Sequence, residues 1–174
     1  MKSLPFAVSR PLAWAFALAT LAAVAPAAFA APGLSAEDRA AVYQAAGLRA
    51  DGAAWRREGC ATPLKPDTEP LDLDGDGQPE VLLYLGPSAC FPGGRAGNVA
   101  LFMRERGDPG AAWTERLGFV PGVEVVRQET AHAGLPDLGV ANAGGCMPIY
   151  RWDGRRYAVA SQKALQPGGC QFRE

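Results

Sequence analysis

The sequence predicts an α+β fold: mostly antiparallel β-sheet in two degenerate β-units, with one short N-terminal helix, stapled by disulfides. Three observations predict it. Helical patterning is confined to one stretch near residues 36–46. From residue 53 to about 165 the apolar runs shrink to strand length and are broken repeatedly by Gly and Pro, of which the chain has 21 and 15. The four Cys, an even number, all follow a leader of the export type.

The leader is read from residues 1–30. Lys2 and Arg10 form a basic start, an uncharged Ala- and Leu-rich run follows, and Ala28-Phe29-Ala30 is a small-x-small site. This pattern predicts a secretory signal peptide cut near Ala30, leaving one exported domain over residues 31–174. A retained membrane anchor is the rival reading, because the uncharged run is nearly long enough to span a bilayer. Pro26 and the Ala-rich end favour cleavage. The expected location is periplasmic or secreted, without membrane attachment after cleavage. Near-balanced charge, 17 basic against 18 acidic residues, argues against a nucleic-acid partner. In an oxidising compartment Cys60, Cys90, Cys146 and Cys170 are expected to form two disulfides. Three pairings exist. Cys60–Cys90 with Cys146–Cys170 is favoured, since each would staple one half of the chain. Loops of that size contribute about 3–4 kcal/mol each by loop entropy.

Taken in order, Ser35 reads as a helix N-cap, with Glu37 and Asp38 in the first turn and Gly47 as the stop. Val81–Leu85 reads as a buried strand. Asn98–Arg106 is a second strand and Ala111–Leu117 a third, with Gly107-Asp108-Pro109-Gly110 turning between them. Val123–Val126 is ambiguous between strand and helical turn. Leu138–Ala141, Met147–Trp152 and Arg156–Ala160 complete the strands, the last two joined by an Asp153-Gly154 hairpin.

The halves resemble each other. Glu80-Val81-Leu82-Leu83 leads to Cys90, then to Val99-Ala100-Leu101-Phe102 and Trp113. Asp137-Leu138-Gly139-Val140 leads to Cys146, then to Ile149-Tyr150-Arg151-Trp152 and Tyr157. This pattern reads as a degenerate duplication of a small β-unit; chance similarity among short strands is the alternative.

The sharpest motif is Asp72-Leu73-Asp74-Gly75-Asp76-Gly77-Gln78-Pro79-Glu80. Ca²⁺ takes six to eight oxygen ligands, and carboxylates at alternate positions converge when the chain curls round it. Asp72, Asp74 and Asp76 stand at positions 1, 3 and 5, Gly77 at the sharp turn, and Gln78 where a backbone carbonyl is used. Glu80 is the expected closing ligand. Position 12 is Leu83 and a strand follows, so the loop is not an EF-hand. Between Cys60 and Cys90 six acidic residues face Lys65 alone, a concentration of negative charge without an evident counterion in that segment. The plainer alternative is an ordinary Asp-Gly turn that needs no ion. A structural Ca²⁺ of modest affinity, ~10⁻⁴–10⁻³ M, is expected.

The stretch Asp72–Leu85 resembles the Asp-rich calcium loops of FG-GAP and VCBS-type repeats, which lead into a β-strand. The wider arrangement is similar to small exported bacterial proteins of unassigned activity that share a short N-terminal helix, such a loop, paired Cys and a late Arg-Trp-Asp-Gly hairpin, here Arg151–Gly154. The resemblance implies calcium binding at Asp72, Asp74, Asp76 and Glu80, and nothing catalytic.

His132 is the only His, with no Ser nearby in sequence and no Gly-x-Ser-x-Gly elbow, so it is read as a surface loop residue. No phosphate-binding loop is present, and Pro92-Gly93-Gly94 leads to a strand. Trp55, Trp113 and Trp152 either pack the β-units or offer a sugar- or peptide-binding surface. Arg155 and Arg156 are candidate anion contacts beside Trp152. The expected function is a non-catalytic module binding a protein or glycan in the cell envelope. A secreted hydrolase or accessory protein using acidic residues, and an inhibitor of a secreted enzyme, are the alternatives.

Overall fold

The structure is a computed structural model that describes residues 33–91, 97–142 and 144–170. The expected signal peptide and the Pro92-Gly93-Gly94 tract lie outside these residues.

Helix α1 spans Ala36–Ala45. Ser35 caps it, its hydroxyl accepting the Asp38 amide at 3.0 Å, and Gly47 ends it at φ 74°. The short β1 (Leu48–Asp51) and β2 (Ala54–Arg57) pair as a hairpin after it. Two four-stranded antiparallel meanders follow. The first sheet is β3 (Pro66–Leu71), β4 (Glu80–Leu85), β5 (Asn98–Met103) and β6 (Thr114–Pro121). The second is β7 (Glu124–His132), β8 (Leu135–Ala141), β9 (Cys146–Trp152) and β10 (Tyr157–Ala164).

These elements make three layers. Val42 and Tyr43 of the helix and Leu48 of the hairpin pack on Val81, Leu83 and Phe102, one face of the first sheet. The other face, through Leu82, Val99 and Leu101, meets Leu138, Val140 and Tyr150 of the second sheet. Central strands β4 and β5 are therefore covered on both sides, which explains their unbroken apolar sequences. Edge strands read differently. β3 carries Pro66 and Pro70, tolerated where no further strand needs their missing N–H. The polar β7 is also an edge strand, and it resolves the ambiguous Val123–Val126 segment: from Glu124 on it is the start of nine strand residues, with Val123 just before them.

The repeat is visible in the topology, with Glu80 and Asp137 leading the second strand core of each unit. Register refines it. Val81 pairs with Phe102 and Leu138 with Tyr150, so Phe102 matches Tyr150 rather than Trp152. The sequence alignment of the third strands is thus two residues out, a slip that leaves the period-two pattern unchanged. Val81 and Phe102 face the helix layer, whereas Leu138 and Tyr150 face the first sheet. The sheets therefore stack in the same sense, like successive plates.

Cys60–Cys90 and Cys146–Cys170 are the disulfides. The first ties the segment after β2 to the β4–β5 connection, and the second ties the start of β9 to the segment after β10. The expected hairpin at Asp153-Gly154 joins β9 to β10, through a four-residue loop over residues 153–156. The Asp153 amide donates to the Arg156 carbonyl at 3.1 Å, and the Asp153 carboxylate accepts the amides of Arg155 and Arg156. The two-residue turn is Ala133-Gly134 between β7 and β8, at φ 49° and 84°, the left-handed pair that type I′ hairpins need.

Candidate metal centre

Leu71 pairs with Glu80, so Asp72–Pro79 forms the loop joining β3 to β4. Leu73 anchors it, buried in the core between the sheets. The remainder curls over this anchor, with Gly75 and Gly77 in the left-handed region at φ 78° and 82°. Its carboxylates organise the backbone. Asp72 accepts the amides of Gly75 at 2.7 Å and Gly77 at 3.1 Å. Asp74 Oδ1 accepts the Asp76 amide, and Asp76 accepts both the backbone and side-chain N–H groups of Gln78. Glu80 Oε2 accepts the buried Leu73 amide at 2.6 Å.

Asp72, Asp74 and Glu80 each bring a carboxylate oxygen to one place, all within 4.8 Å of one another, a group able to hold a metal ion. Glu80 is only 6 % exposed. Burial, reinforced by the charges of Asp74, Asp72 and Asp76, pushes its carboxyl up from 4.5 to about 7 despite the Leu73 hydrogen bond. Asp76 is outside this trio and turned to Gln78, whose amide nitrogen it holds. The donors are hard oxygens without nitrogen or sulfur, which fits a hard cation such as Ca²⁺.

One partner was not legible in the motif. Arg106, just beyond β5, donates through Nε and Nη2 to Asp74 Oδ2 at 2.9 and 2.6 Å. The negative loop therefore has a counterion from outside its own segment. Residues of this loop, Arg104–Arg106, Arg116, the β7–β8 turn and Trp152 enclose a cleft of about 310 Å³.

The second unit treats its matching acid differently. Asp137 is 1 % exposed and accepts from the Thr130 hydroxyl at 2.9 Å and from Arg151 at 3.3 Å, with His132 Nδ1 3.0 Å away. Burial opposes its charge, but these partners outweigh burial and hold the carboxyl below the usual range. His132 is thus the end of a strand bound to a buried acid, and not the loop residue expected. No Ser joins this pair among the described residues.

The candidate binding residues separate. Trp113 is 7 % exposed, packed in the helix-side core with Arg104 stacked 4.4 Å above its ring, so it offers no binding face. Trp55 meets Tyr43 edge-on in the same core. Trp152 lies on the opposite side of the first sheet, tilted against Tyr157, and reaches the cleft. Arg155 and Arg156 are exposed at the β9–β10 tip, where the Arg155 carbonyl accepts Arg116 Nη1 at 3.2 Å. A second cleft, about 550 Å³, opens at the other end of the sheets and is lined by Asp67, Glu69, Tyr84 and Glu124.

No helix among the described residues is long and apolar enough to cross a membrane. Comparison with protein families, curated proteins and solved structures finds no match to this chain.

Proposed function

We propose that the chain is an exported, disulfide-stabilised module that binds Ca²⁺ at Asp72, Asp74 and Glu80 and binds a protein or glycan without catalysis. The observation that carries the calcium reading is the convergence of these three carboxylates round a buried Glu80. The internal repeat supports it. Asp137, at the matching place, is neutralised by Arg151, while Glu80 faces further carboxylates. A divalent cation would do for Glu80 what Arg151 does for Asp137. The Gln78 carbonyl and Asp76, directly or through water, would complete the oxygen set. The ion would then be structural, fixing the entry to β4 in the manner of the FG-GAP-like loops it resembles. Two disulfides support an oxidising compartment, periplasmic or extracellular.

Thermal melts with Ca²⁺ and with EDTA test this reading, beside an Asp72→Asn/Asp74→Asn variant. Ca²⁺ is expected to raise the melting temperature of the wild type alone. Equal melting temperatures in all four samples at millimolar Ca²⁺ contradict it.

The second cleft favours a second reading, a hydrolase working through acidic residues. Asp67, Glu69 and Glu124 line it away from the ion loop, and Glu69 accepts the Tyr84 hydroxyl at 3.1 Å. Paired carboxylates across a cleft are the requirement of glycoside cleavage. Turnover of glycoside substrates that disappears in Glu69→Gln and Glu124→Gln would establish it; turnover unchanged in both would remove it.

A further inference from the structure

We propose that the second cleft, at the end of the sheets away from the ion loop, is a docking site for an arginine side chain carried on an extended segment of a partner protein. The inference rests on the non-catalytic binding reading above and names the partner's chemistry. The walls come from both sheets. Asp67 and Glu69 lie two apart on edge strand β3, so they share a face, and Asp67 pairs with Tyr84 of β4. Glu124, which opens edge strand β7, adds a third carboxylate. A volume of about 550 Å³ is within the range of ligand pockets and accepts one long side chain with its flanking backbone.

Charge sets the sign of the occupant. The lining carries these three carboxylates and no cationic side chain. No ion pair among the described residues engages them. Glu69 accepts the Tyr84 hydroxyl at 3.1 Å. Burial first, then the charges of Glu69 and Glu124, push that hydroxyl up, so both carboxylates bear on one point. A second observation is independent of the acids. Asn98, at the start of β5, lines the same cleft and is 1 % exposed, yet neither its Nδ2 nor its Oδ1 has a hydrogen-bond partner. Buried amides are ordinarily paired, so the cleft combines an unmet acceptor with unneutralised acids. A guanidinium answers both, with a delocalised charge and five N–H donors in a planar fork. An ammonium is a compact, more strongly hydrated charge with three donors.

The mouth favours a peptide over a free cation. Val123, 59 % exposed, lines the cleft beside Glu124. Strand β7, which begins there, has a strand neighbour on one side only. An extended chain laid along this edge gains main-chain hydrogen bonds and an apolar contact while its side chain enters the cleft, the economy of β-strand addition. An amino sugar brings the charge but no backbone to pair.

Amide chemical shifts of the isotope-labelled full chain, titrated with the capped peptide Gly-Val-Arg-Val-Gly, test the proposal, beside the same peptide with Glu for Arg and beside triglucosamine. The Arg peptide is expected to move the amides of Gly86, Gly97 and Gly122, which line the cleft, and to leave those of Gly75 and Gly77 in the ion loop unmoved. It should bind about tenfold or more tightly than the Glu peptide. Glu69→Gln and Glu124→Gln are each expected to weaken it by about tenfold, the loss of one charge-assisted contact, and Asn98→Leu by about fivefold. The two Gln variants should melt no lower than wild type, which shows that they are folded. Asn98→Leu should melt above it, having lost an unpaired buried amide. No movement at the cleft amides, equal binding of the Glu peptide, or unchanged affinity in the variants overturns the proposal. Tighter binding of triglucosamine overturns the peptide assignment. Shifts confined to another surface overturn the cleft and leave the protein-binding reading standing. Glycoside turnover that disappears in Glu69→Gln overturns both.

Discussion

Replacing Glu80 with Gln separates the electrostatic cost of this carboxylate from its use as a ligand. Without an ion it is buried among like charges, which push it up from 4.5 to about 7. In the unfolded chain it titrates near the lower value. The folded state therefore holds the proton more tightly. Its contribution is fully present below about pH 4.5 and is lost as pH rises through about 7. The displacement corresponds to about 3 kcal/mol at alkaline pH, or roughly 6–12 °C in melting temperature for a domain of this size. Gln keeps an oxygen for the Leu73 amide and carries no charge. In EDTA near pH 8, Glu80→Gln is expected to melt above wild type by that amount, with the two converging toward pH 4.5. At 10 mM Ca²⁺ the wild type should recover about 1–3 kcal/mol that the variant does not, given an affinity of ~10⁻⁴–10⁻³ M. Circular-dichroism melts across this pH range read both effects. A variant that melts below wild type in EDTA near pH 8 refutes the reasoning, because Glu80 would then stabilise the ion-free fold through its charge.

Other expectations follow from the same structure. Arg151→Gln removes the guanidinium from buried Asp137 and is expected to cost about 1–2 kcal/mol at neutral pH, Arg151 being half exposed. Asp137 is held below the usual range, so its contribution is present above the unfolded value of 3.8 and is lost as pH falls; the penalty should shrink in acid melts. Cys60→Ser/Cys90→Ser and Cys146→Ser/Cys170→Ser should each cost about 3–4 kcal/mol in urea titrations, for separations of 30 and 24 residues. A cost in only one pair would show that the other is not formed. At Gly122, where the chain crosses between sheets, a Cβ would overlap Val140 Cγ1. Gly122→Ala should therefore lose about 1–3 kcal/mol through overpacking. A neutral result would contradict the close stacking of the sheets.

What could be read in advance divides by burial. Helix α1 was legible because a cap, a first-turn charge pair and a terminal Gly coincide within a dozen residues. β4 and β5 were legible because burial on both faces demands continuous apolar runs. β1, β2 and β3 were not, since short or edge strands have no such demand, and Pro66 and Pro70 argue against a strand wherever the edge is not known. Asp72, Asp74 and Glu80 announced themselves by spacing. Arg106, 32 residues after Asp74, had no such signal. The Asp137–Arg151–His132 cluster was half visible, as an acid at the repeat position, but its partners come from neighbouring strands whose register the sequence does not display. Trp113 and Trp152 look alike in sequence, but Trp113, just before β6, packs into the core on the helix side of the first sheet, whereas Trp152 ends β9 of the second sheet and reaches the cleft.

Calcium titration by isothermal calorimetry near neutral pH tests the central claim most directly. One Ca²⁺ per chain at ~10⁻⁴–10⁻³ M is predicted, with binding abolished in Asp72→Asn/Asp74→Asn and its melting temperature insensitive to the ion. Absence of binding at 10 mM Ca²⁺, or equal binding by that variant, would contradict the account.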